Sequence, residues 1–259
     1  MTYALITGAS KGIGKAIAIE LAKKKNNLII VSRNEAQLAT LAEEIVNDYK
    51  VECKYIALDL SENKAADQLF DWCIENKLTI NILVNNAGYG LSGRMDNYTM
   101  AEYGNMMQVN MATPLALILK FLPMLKQQPK SYILNIASSA VYQAVPGLGV
   151  YAASKSFVFS FSRSLRFELR NSNVSVTVVN PGTTDTDFAN RAQVTNEKAL
   201  KTAAKLNMTP SAVAKIAVDG MYAEKAEVIP GFINKLGAFL ALILPKKALE
   251  GGAAGIYGV

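Results

Sequence analysis

The stretch Tyr-Ala-Leu-Ile-Thr-Gly-Ala-Ser-Lys-Gly-Ile-Gly, residues 3–14, joins a short apolar run to three closely spaced glycines. The apolar run is typical of a buried strand, and the amphipathic segment that continues to Lys25 is typical of a helix. Gly8, Gly12 and Gly14 let the chain turn tightly between the two, so that backbone amides and the positive end of the helix can meet a pyrophosphate. The spacing Gly-x3-Gly-x-Gly is modest evidence alone, because glycines also mark turns that bind nothing.

The alternation of strand and helix continues along most of the chain. Short apolar runs predict strands at residues 3–6, 28–31, 55–58, 82–84, 132–134 and 174–179. Amphipathic segments predict helices at residues 13–25, 35–49, 64–76, 101–126 and 151–170. Nearly continuous apolar strands suit a parallel sheet, and right-handed crossovers then give a doubly wound, Rossmann-like α/β fold with helices on both faces. No linker divides the chain, so we predict a single domain over residues 1–259.

Composition narrows the range of functions. The chain has 259 residues, no histidine and a formal net charge of +6. A triad that uses histidine is therefore excluded, and no cluster of cysteines or carboxylates has metal-ligand spacing, so we predict no metal. The lysines are scattered among acidic residues, which argues against nucleic-acid binding. The first predicted strand begins at Thr2 and no apolar run approaches the length of a membrane span, so we expect a cytoplasmic protein.

Polar residues and glycines recur where the predicted strands end. These positions are Gly8, Ser32, Arg33, Asp59, Asn85 to Gly88, Ser138 and Pro181-Gly182. The carboxyl ends of parallel strands meet at one edge of the sheet, where doubly wound proteins bind their ligands. The sequence therefore predicts one ligand site that collects residues from across the chain.

Tyr151 and Lys155 are four residues apart on a predicted helix and so share one of its faces. A unit charge about 4 Å from the phenol is worth roughly 4 kcal/mol at an effective dielectric near 20. This could move the pKa of Tyr151 from about 10 toward about 7, and so make the phenol a usable general acid. A tyrosine and a lysine at this spacing are, without other motifs, usually only one face of a helix.

Taken together, the motifs resemble the short-chain dehydrogenase/reductase family, in its single-domain branch. The residues that carry the resemblance are Thr7 to Gly14, Asp59, Asn85 to Gly88, Asn110, Ser138, Tyr151, Lys155, Pro181-Gly182 and Thr186. The resemblance runs from about Thr2 to Thr186 and implies hydride transfer to or from a nicotinamide. It also implies a homodimer or homotetramer.

The resemblance assigns catalytic roles to four residues. Tyr151 protonates the carbonyl oxygen in reduction, and Ser138 polarises it. Lys155 lowers the pKa of the phenol and holds the nicotinamide ribose. Asn110 orders a water that leads to Lys155. Ser139 is an alternative hydrogen-bond donor, but the family's spacing to the tyrosine favours Ser138.

The predicted cofactor site selects NADP(H) over NAD(H). Cations after the second strand of such folds accept the 2′-phosphate of NADP(H), and here Ser32 and Arg33 follow that strand while Lys11 lies in the glycine turn. The alternative is that both cations are ordinary surface charges, with Glu35 close enough to pair with Arg33. The full set is Gly8, Ser10, Lys11, Gly12, Ile13, Gly14, Ser32, Arg33, Asp59, Leu60, Asn86, Ala87, Gly88, Tyr151, Lys155, Pro181, Gly182, Thr184 and Thr186.

These residues predict an NADP(H)-dependent oxidoreductase that interconverts a ketone or aldehyde and an alcohol, with Tyr151 as general acid/base. One alternative is a non-catalytic NADP(H)-binding sensor or scaffold, and another is an epimerase or dehydratase of the same family. The polar segment at about 183–209 is a candidate lid over the substrate, or an ordinary surface helix.

The C-terminal segment at about 228–259 contains a nine-residue apolar run, Leu236 to Leu244. Within it, residues 228–245 could pack on another subunit, close an apolar substrate cleft or contact a membrane interface, and we favour the first two. An apolar lid and tail indicate a bulky, apolar carbonyl substrate.

Overall fold

The computed structural model of the protein describes residues 1–197, 199 and 207–257. The strands are β1 (Thr2–Thr7), β2 (Asn27–Ser32), β3 (Cys53–Ala57), β4 (Thr79–Asn85), β5 (Ser131–Ile136), β6 (Val174–Val179) and β7 (Glu227–Val228). The helices are α1 (Gly12–Lys23), α2 (Glu35–Tyr49), α3 (Ala65–Glu75), α4 (Met100–Met107), α5 (Thr113–Lys126), α6 (Gly149–Glu168), α7 (Phe188–Arg191), α8 (Pro210–Tyr222), α9 (Phe232–Ile243) and α10 (Lys246–Tyr257).

The seven strands form one sheet in the order β3-β2-β1-β4-β5-β6-β7, and every neighbouring pair is parallel. The chain winds outward from β1 in one direction through β2 and β3, and then in the other direction from β4 to β7. The doubly wound α/β fold predicted from the sequence is thus confirmed. The winding reverses between β1 and β4, and in such sheets the crevice at this reversal is where ligands bind.

Each strand is apolar nearly throughout because the sheet is covered on both faces. Ala4 and Ile6 of β1 belong to the core beneath α1, α2 and α8, whereas Tyr3 and Leu5 point the other way, into the core beneath α3, α5 and α6. Successive residues of a strand face opposite sides, so a strand between two helical layers buries both sets.

Two elements match their predicted residues in full, namely α2 at 35–49 and β6 at 174–179. The predicted helix at 101–126 is divided by a π-helical turn, Gln108–Ala112, into α4 and α5. α8 was not predicted, although Thr209 caps it by accepting a hydrogen bond from the Ala212 amide and Pro210 occupies its first turn.

Within the described part of the chain, the stretch Met100–Lys126 is long and apolar enough to cross a membrane by length and composition. No such stretch was expected from the sequence, because polar residues interrupt every apolar run. The structure accounts for its hydropathy by packing. Leu117, Ile118, Phe121 and Leu125 are fully buried in the core that the helix shares with the sheet, and the ring of Phe121 meets that of Phe70 edge to face.

Candidate active site

A cavity of about 1530 Å³ runs along the carboxyl ends of the strands. Every residue of the predicted cofactor set lines it, from Gly8 in the first turn to Thr186 beyond β6. Of the four predicted catalytic residues, Ser138, Tyr151 and Lys155 also line the cavity, while Asn110 is buried behind its wall. The fold therefore brings together groups that are more than a hundred residues apart in the chain.

The glycine turn packs so closely against the residues after β4 that Gly8 and Gly14 have no room for a side chain. Gly8 and Gly12 have φ of +66° and +61°, which residues with a side chain rarely adopt. A Cβ on Gly14 would lie 2.2 Å from the carbonyl oxygen of Gly8. The Asn86 side chain holds this arrangement, because its amide donates to the carbonyl oxygens of Thr7 at 2.9 Å and Gly8 at 3.1 Å. The turn leads directly into α1, whose amino end faces the cavity.

At the end of β2 the cavity wall carries a buried hydroxyl with no hydrogen-bond partner, the Oγ of Ser32. Buried polar groups are normally paired, so this oxygen suits a ligand hydroxyl or phosphate. Together, the glycine turn, the amino end of α1 and the unpaired Ser32 hydroxyl fit a dinucleotide. Gly8 to Gly14 would hold its pyrophosphate, and Ser32 its adenosine ribose.

Both cations of the predicted 2′-phosphate site face carboxylates. The Arg33 guanidinium lies 3.8 Å from Asp59, so its ion pair is with Asp59 rather than with Glu35, the partner considered from the sequence. Partial burial works against ionisation of Asp59, but hydrogen bonds from Ser61 and the charge of Arg33 outweigh it and lower the carboxyl pKa. Lys11 donates to Asp187, which belongs to the predicted lid. The hydrogen bond from Lys11 is the main reason that the pKa of Asp187 is lowered.

Tyr151 and Lys155 lie on the buried face of α6, one turn apart. The Lys155 ammonium donates to the backbone oxygen of Ile136, at the end of β5, over 3.0 Å. Burial lowers the pKa of Lys155 to about 8. At neutral pH the amine is still mostly charged, at about nine in ten molecules, so a cation is held inside the cavity wall.

Asn110 reaches the same place from the π-helical turn. Its amide oxygen accepts from the Tyr89 amide at 3.1 Å, and its nitrogen donates to the Tyr89 oxygen at 2.9 Å and the Ser154 hydroxyl at 3.0 Å. A Cβ built on Gly88 would lie 2.9 Å from the Lys155 ammonium and 3.0 Å from the Asn110 oxygen. The absence of a side chain on Gly88 therefore leaves room for both the Lys155 ammonium and the Asn110 amide oxygen.

Ser138 stands at the start of a 3-10 turn, Ser139–Tyr142, and its hydroxyl oxygen accepts a hydrogen bond from the Ala140 amide at 3.2 Å. A hydroxyl that accepts one bond still has its own hydrogen to donate. A partly buried network of hydrogen bonds, which the sequence did not indicate, holds this turn in place. The Tyr142 hydroxyl donates to Glu227, and the Asn180 amide donates to both, at 2.7 and 2.9 Å.

The described part of the predicted lid, residues 183–197, 199 and 207–209, lies across the cavity, while residues 198 and 200–206 lie outside the described residues. The ring of Phe188 packs on that of Tyr151 with 5.2 Å between centroids. Thr186 lies against the glycine turn, since a Cβ on Gly12 would be 3.2 Å from its methyl group. The described part of the predicted lid thus contacts both the glycine turn and Tyr151.

The C-terminal segment, described to residue 257, contributes residues to the cavity wall. α10 supplies wall residues of the cavity, among them Leu249 and Ala253. The Asn234 side chain occupies the space beside Gly182, where a Cβ would lie 2.1 Å from its amide oxygen. Asn234 gives no sequence signal because its partner is distant in the chain.

A family model described as short chain dehydrogenase matches residues 2–197. The chain belongs to the short-chain dehydrogenase family. The resemblance drawn from the motifs is thereby confirmed, and with it the broad class of oxidoreductase. This short-chain dehydrogenase is 32% identical over 197 residues to an uncharacterized oxidoreductase of Staphylococcus epidermidis, an alignment that covers 74% of the chain and 84% of the relative. It is also 32% identical over 198 residues to hydroxysteroid dehydrogenase-like protein 1 of Gallus gallus, covering 76% of the chain and 60% of that protein.

Solved structures of similar fold cover most or all of the chain. A short-chain dehydrogenase from Sphingobium yanoikuyae in complex with NADPH has a TM-score of 0.82 and 26% identity, covering 100% of this chain and 95% of that one. A short-chain dehydrogenase/reductase from Burkholderia phymatum in complex with NAD has a TM-score of 0.83 and 23% identity, with 92% of each chain covered. The second likeness bears on the fold alone.

The close packing of the glycine turn predicts the effect of one added methyl group. We expect Gly14→Ala to weaken the binding of NADPH by at least about tenfold, or about 1.4 kcal/mol, because its Cβ would displace Gly8 or Asn86 from the turn. Isothermal titration calorimetry measures this.

The matched control for that variant is Gly104→Ala, on α4, where a Cβ would meet nothing within 4 Å. It should leave the affinity unchanged. Equal affinities in the two variants would show that the turn does not form the dinucleotide cradle.

The buried ammonium predicts how stability depends on pH. The pKa of Lys155 is about 8 in the folded protein and 10.5 in the unfolded chain, so between these values the unfolded chain binds more protons. The contribution of Lys155 to the free energy of unfolding should therefore rise by about 3 kcal/mol from pH 8 to 10.5, and stay at its minimum below pH 8. Urea denaturation of the cofactor-free protein across this range measures it.

Other groups titrate in the same range, so the comparison is made against Lys155→Met, which keeps the length of the side chain and removes the charge. The wild-type protein should gain more stability with pH than this variant. If the free energy of unfolding changed with pH by the same amount in both proteins, the pKa of Lys155 would be the same in the folded and unfolded chain.

Proposed function

We propose that the chain is an NADP(H)-dependent oxidoreductase that interconverts a ketone or aldehyde and an alcohol by hydride transfer. The observation that carries this proposal is the position of Tyr151, Ser138 and Lys155 on the wall of the same cavity that the glycine turn opens into. A carbonyl held there would meet a hydroxyl donor, a phenol and a buried ammonium on one side.

The residues of the chain would act on the carbonyl oxygen. Bound NADPH supplies the hydride, and negative charge then develops on the oxygen of the substrate. Ser138 donates a hydrogen bond to that oxygen, and Tyr151 transfers its phenolic proton to it. The Lys155 ammonium stabilises the phenolate that remains, because a cation near a phenol favours the ionised form. In the oxidation of an alcohol the same groups act in reverse.

The substrate side of the cavity supports an apolar carbonyl. Tyr151 belongs to a buried cluster of apolar side chains, against which the lid residue Phe188 packs. The other cluster members that line the cavity are Leu91, Val145, Leu148 and Ala253. Such walls favour a bulky ketone over a small charged one.

Preference for NADP(H) is supported by the cations at the adenosine end. Arg33 is mostly exposed and is held at 3.8 Å from Asp59, a weak pairing that a phosphate dianion can replace. Lys11 lines the same part of the cavity. The solved relative of 26% identity that holds NADPH is in keeping with this preference.

We further propose a cytoplasmic homodimer or homotetramer that takes a small-molecule substrate and binds no nucleic acid. Large apolar side chains are exposed on the neighbouring helices α5 and α6, at Leu119 and Phe167, where another subunit could cover them.

The role of Tyr151 is tested by removing only its hydroxyl. We expect Tyr151→Phe to lose at least about a thousandfold of kcat, because the proton donor is gone, while the Kd for NADPH changes little. Turnover is followed by NADPH absorbance on a panel of apolar ketones and aldehydes.

Tyr103→Phe is the control for that variant, because Tyr103 is an equally buried phenol of the same cluster that does not line the cavity. It should keep most of the turnover. Full activity in Tyr151→Phe would refute the proposed mechanism, and tight NADPH binding with no turnover of any carbonyl by the wild-type chain would favour a sensor.

Cofactor preference is tested at Arg33. The wild-type chain should bind NADPH more tightly than NADH, and Arg33→Ala should weaken NADPH binding by about tenfold or more while leaving NADH binding nearly unchanged. Dissociation constants from cofactor fluorescence decide the matter. Tighter binding of NADH by the wild-type chain would contradict the preference.

A further inference from the structure

Helix α9 presents an apolar face to solvent. Its large side chains are exposed by 79% at Phe232, 45% at Leu236, 56% at Phe239 and 61% at Ile243, and these four positions recur at the helical spacing of one face. Ile233 and Leu242 flank this face and are exposed as well. Ala238 is the one residue of α9 that is buried. We call the set Phe232, Ile233, Leu236, Phe239, Leu242 and Ile243 the α9 face.

Within the segment that carries the α9 face, the charges have one sign. Lys235 lies on the helix, and Lys246 and Lys247 follow its end; all three are exposed. Residues 228–249 contain no aspartate or glutamate. The α9 face is therefore an apolar surface accompanied by lysines. Its complement is a partner with an anionic outer layer above an apolar interior.

A second copy of the chain fits this face poorly. A two-fold contact places the same patch on both partners, so the lysines of one copy would meet those of the other, with no acidic residue in the segment to pair with them. An anionic bilayer offers both complements at once, because its headgroups attract lysines and its acyl region takes up apolar side chains. α9 has 12 residues, about 18 Å of helix, which is too short to cross the acyl core.

The α9 face also adjoins the candidate active site. α9 packs beside the 3-10 turn that begins next to Ser138, and its Asn234 fills the space beside Gly182. The next helix, α10, forms part of the cavity wall. A surface bound to the α9 face would thus lie next to the wall of the cavity that favours an apolar ligand.

We propose that the α9 face docks the protein on the surface of an anionic lipid bilayer, with α9 lying in the plane of the interface. The apolar side chains enter the boundary between headgroups and acyl chains, and the three lysines contact lipid phosphates. An apolar ligand dissolved in the bilayer then lies close to the cavity. Docking needs no turnover, so it stands or falls separately from the proposed reaction.

The test is cosedimentation of the full chain with vesicles of phosphatidylcholine alone and of phosphatidylcholine with phosphatidylglycerol. The bound fraction should correspond to an affinity at least about tenfold higher on the anionic vesicles, because each lysine near such a surface adds about a factor of five. High salt should remove most of this difference.

Two variants locate the contact. Leu236→Gln with Phe239→Gln, on the α9 face, should lose at least about tenfold in affinity for anionic vesicles. Val46→Gln with Ile74→Gln is the matched control, because these residues are exposed to similar extents, 42% and 49%, on α2 and α3. The control should bind as the wild-type chain does. Unchanged NADPH binding in both variants confirms that they are folded.

Two results would overturn the proposal. One is equal binding of anionic vesicles by the α9 variant and the control. The other is no binding by the wild-type chain to either kind of vesicle. A smaller oligomer of the α9 variant, seen by sedimentation velocity without lipid, would in that second case assign the α9 face to another copy of the chain.

Discussion

The contact between the glycine turn and the end of β4 is the constraint on which the rest of the site depends. Gly14 lies so close to the Gly8 carbonyl oxygen that one methyl group would not fit. The side-chain amide of Asn86, directly after β4, donates a hydrogen bond to the same oxygen. This packing fixes the direction in which α1 leaves the sheet. The amino end of that helix, with its unpaired amides, therefore faces the crevice between β1 and β4 rather than solvent.

The part of the cavity around Tyr151 is organised around a buried charge. An ammonium inside a protein costs free energy unless it is paired, and Lys155 is held by the carbonyl of Ile136 at the end of β5. The pKa of Lys155 is lowered because this hydrogen bond does not fully compensate for the loss of water around the buried ammonium. A charge kept at such a place is typical of a site where another group must ionise, and Tyr151 is one helical turn away.

The cations at the adenosine end are arranged differently. Lys11 and Arg33 are exposed and face Asp187 and Asp59, so an incoming phosphate would replace carboxylates rather than meet bare charges. Exposed ion pairs of this kind contribute little to stability and are easily exchanged. Asp187 belongs to the same segment as Phe188, whose ring packs on that of Tyr151, so this segment connects Lys11 with Tyr151.

The fold and the motifs at the strand ends can be read from the sequence alone. Alternating apolar runs and amphipathic segments specify a parallel sheet between two helical layers, and the glycine turn and the spacing of Tyr151 and Lys155 are local patterns that one stretch of chain displays. Such features depend on near neighbours, so their period and residue types can be read directly.

Contacts between distant segments, in contrast, can be seen only in the folded chain. The π-helical turn that aims Asn110 at Tyr89, the pairing of Lys11 with Asp187 and the placement of Asn234 beside Gly182 each join residues that no local pattern links. The exposure of α9 belongs to the same class, since an apolar run predicts burial until the packing of the whole chain shows which face is covered. Local propensities fix the elements, whereas their mutual packing fixes which side chains meet and which remain at the surface.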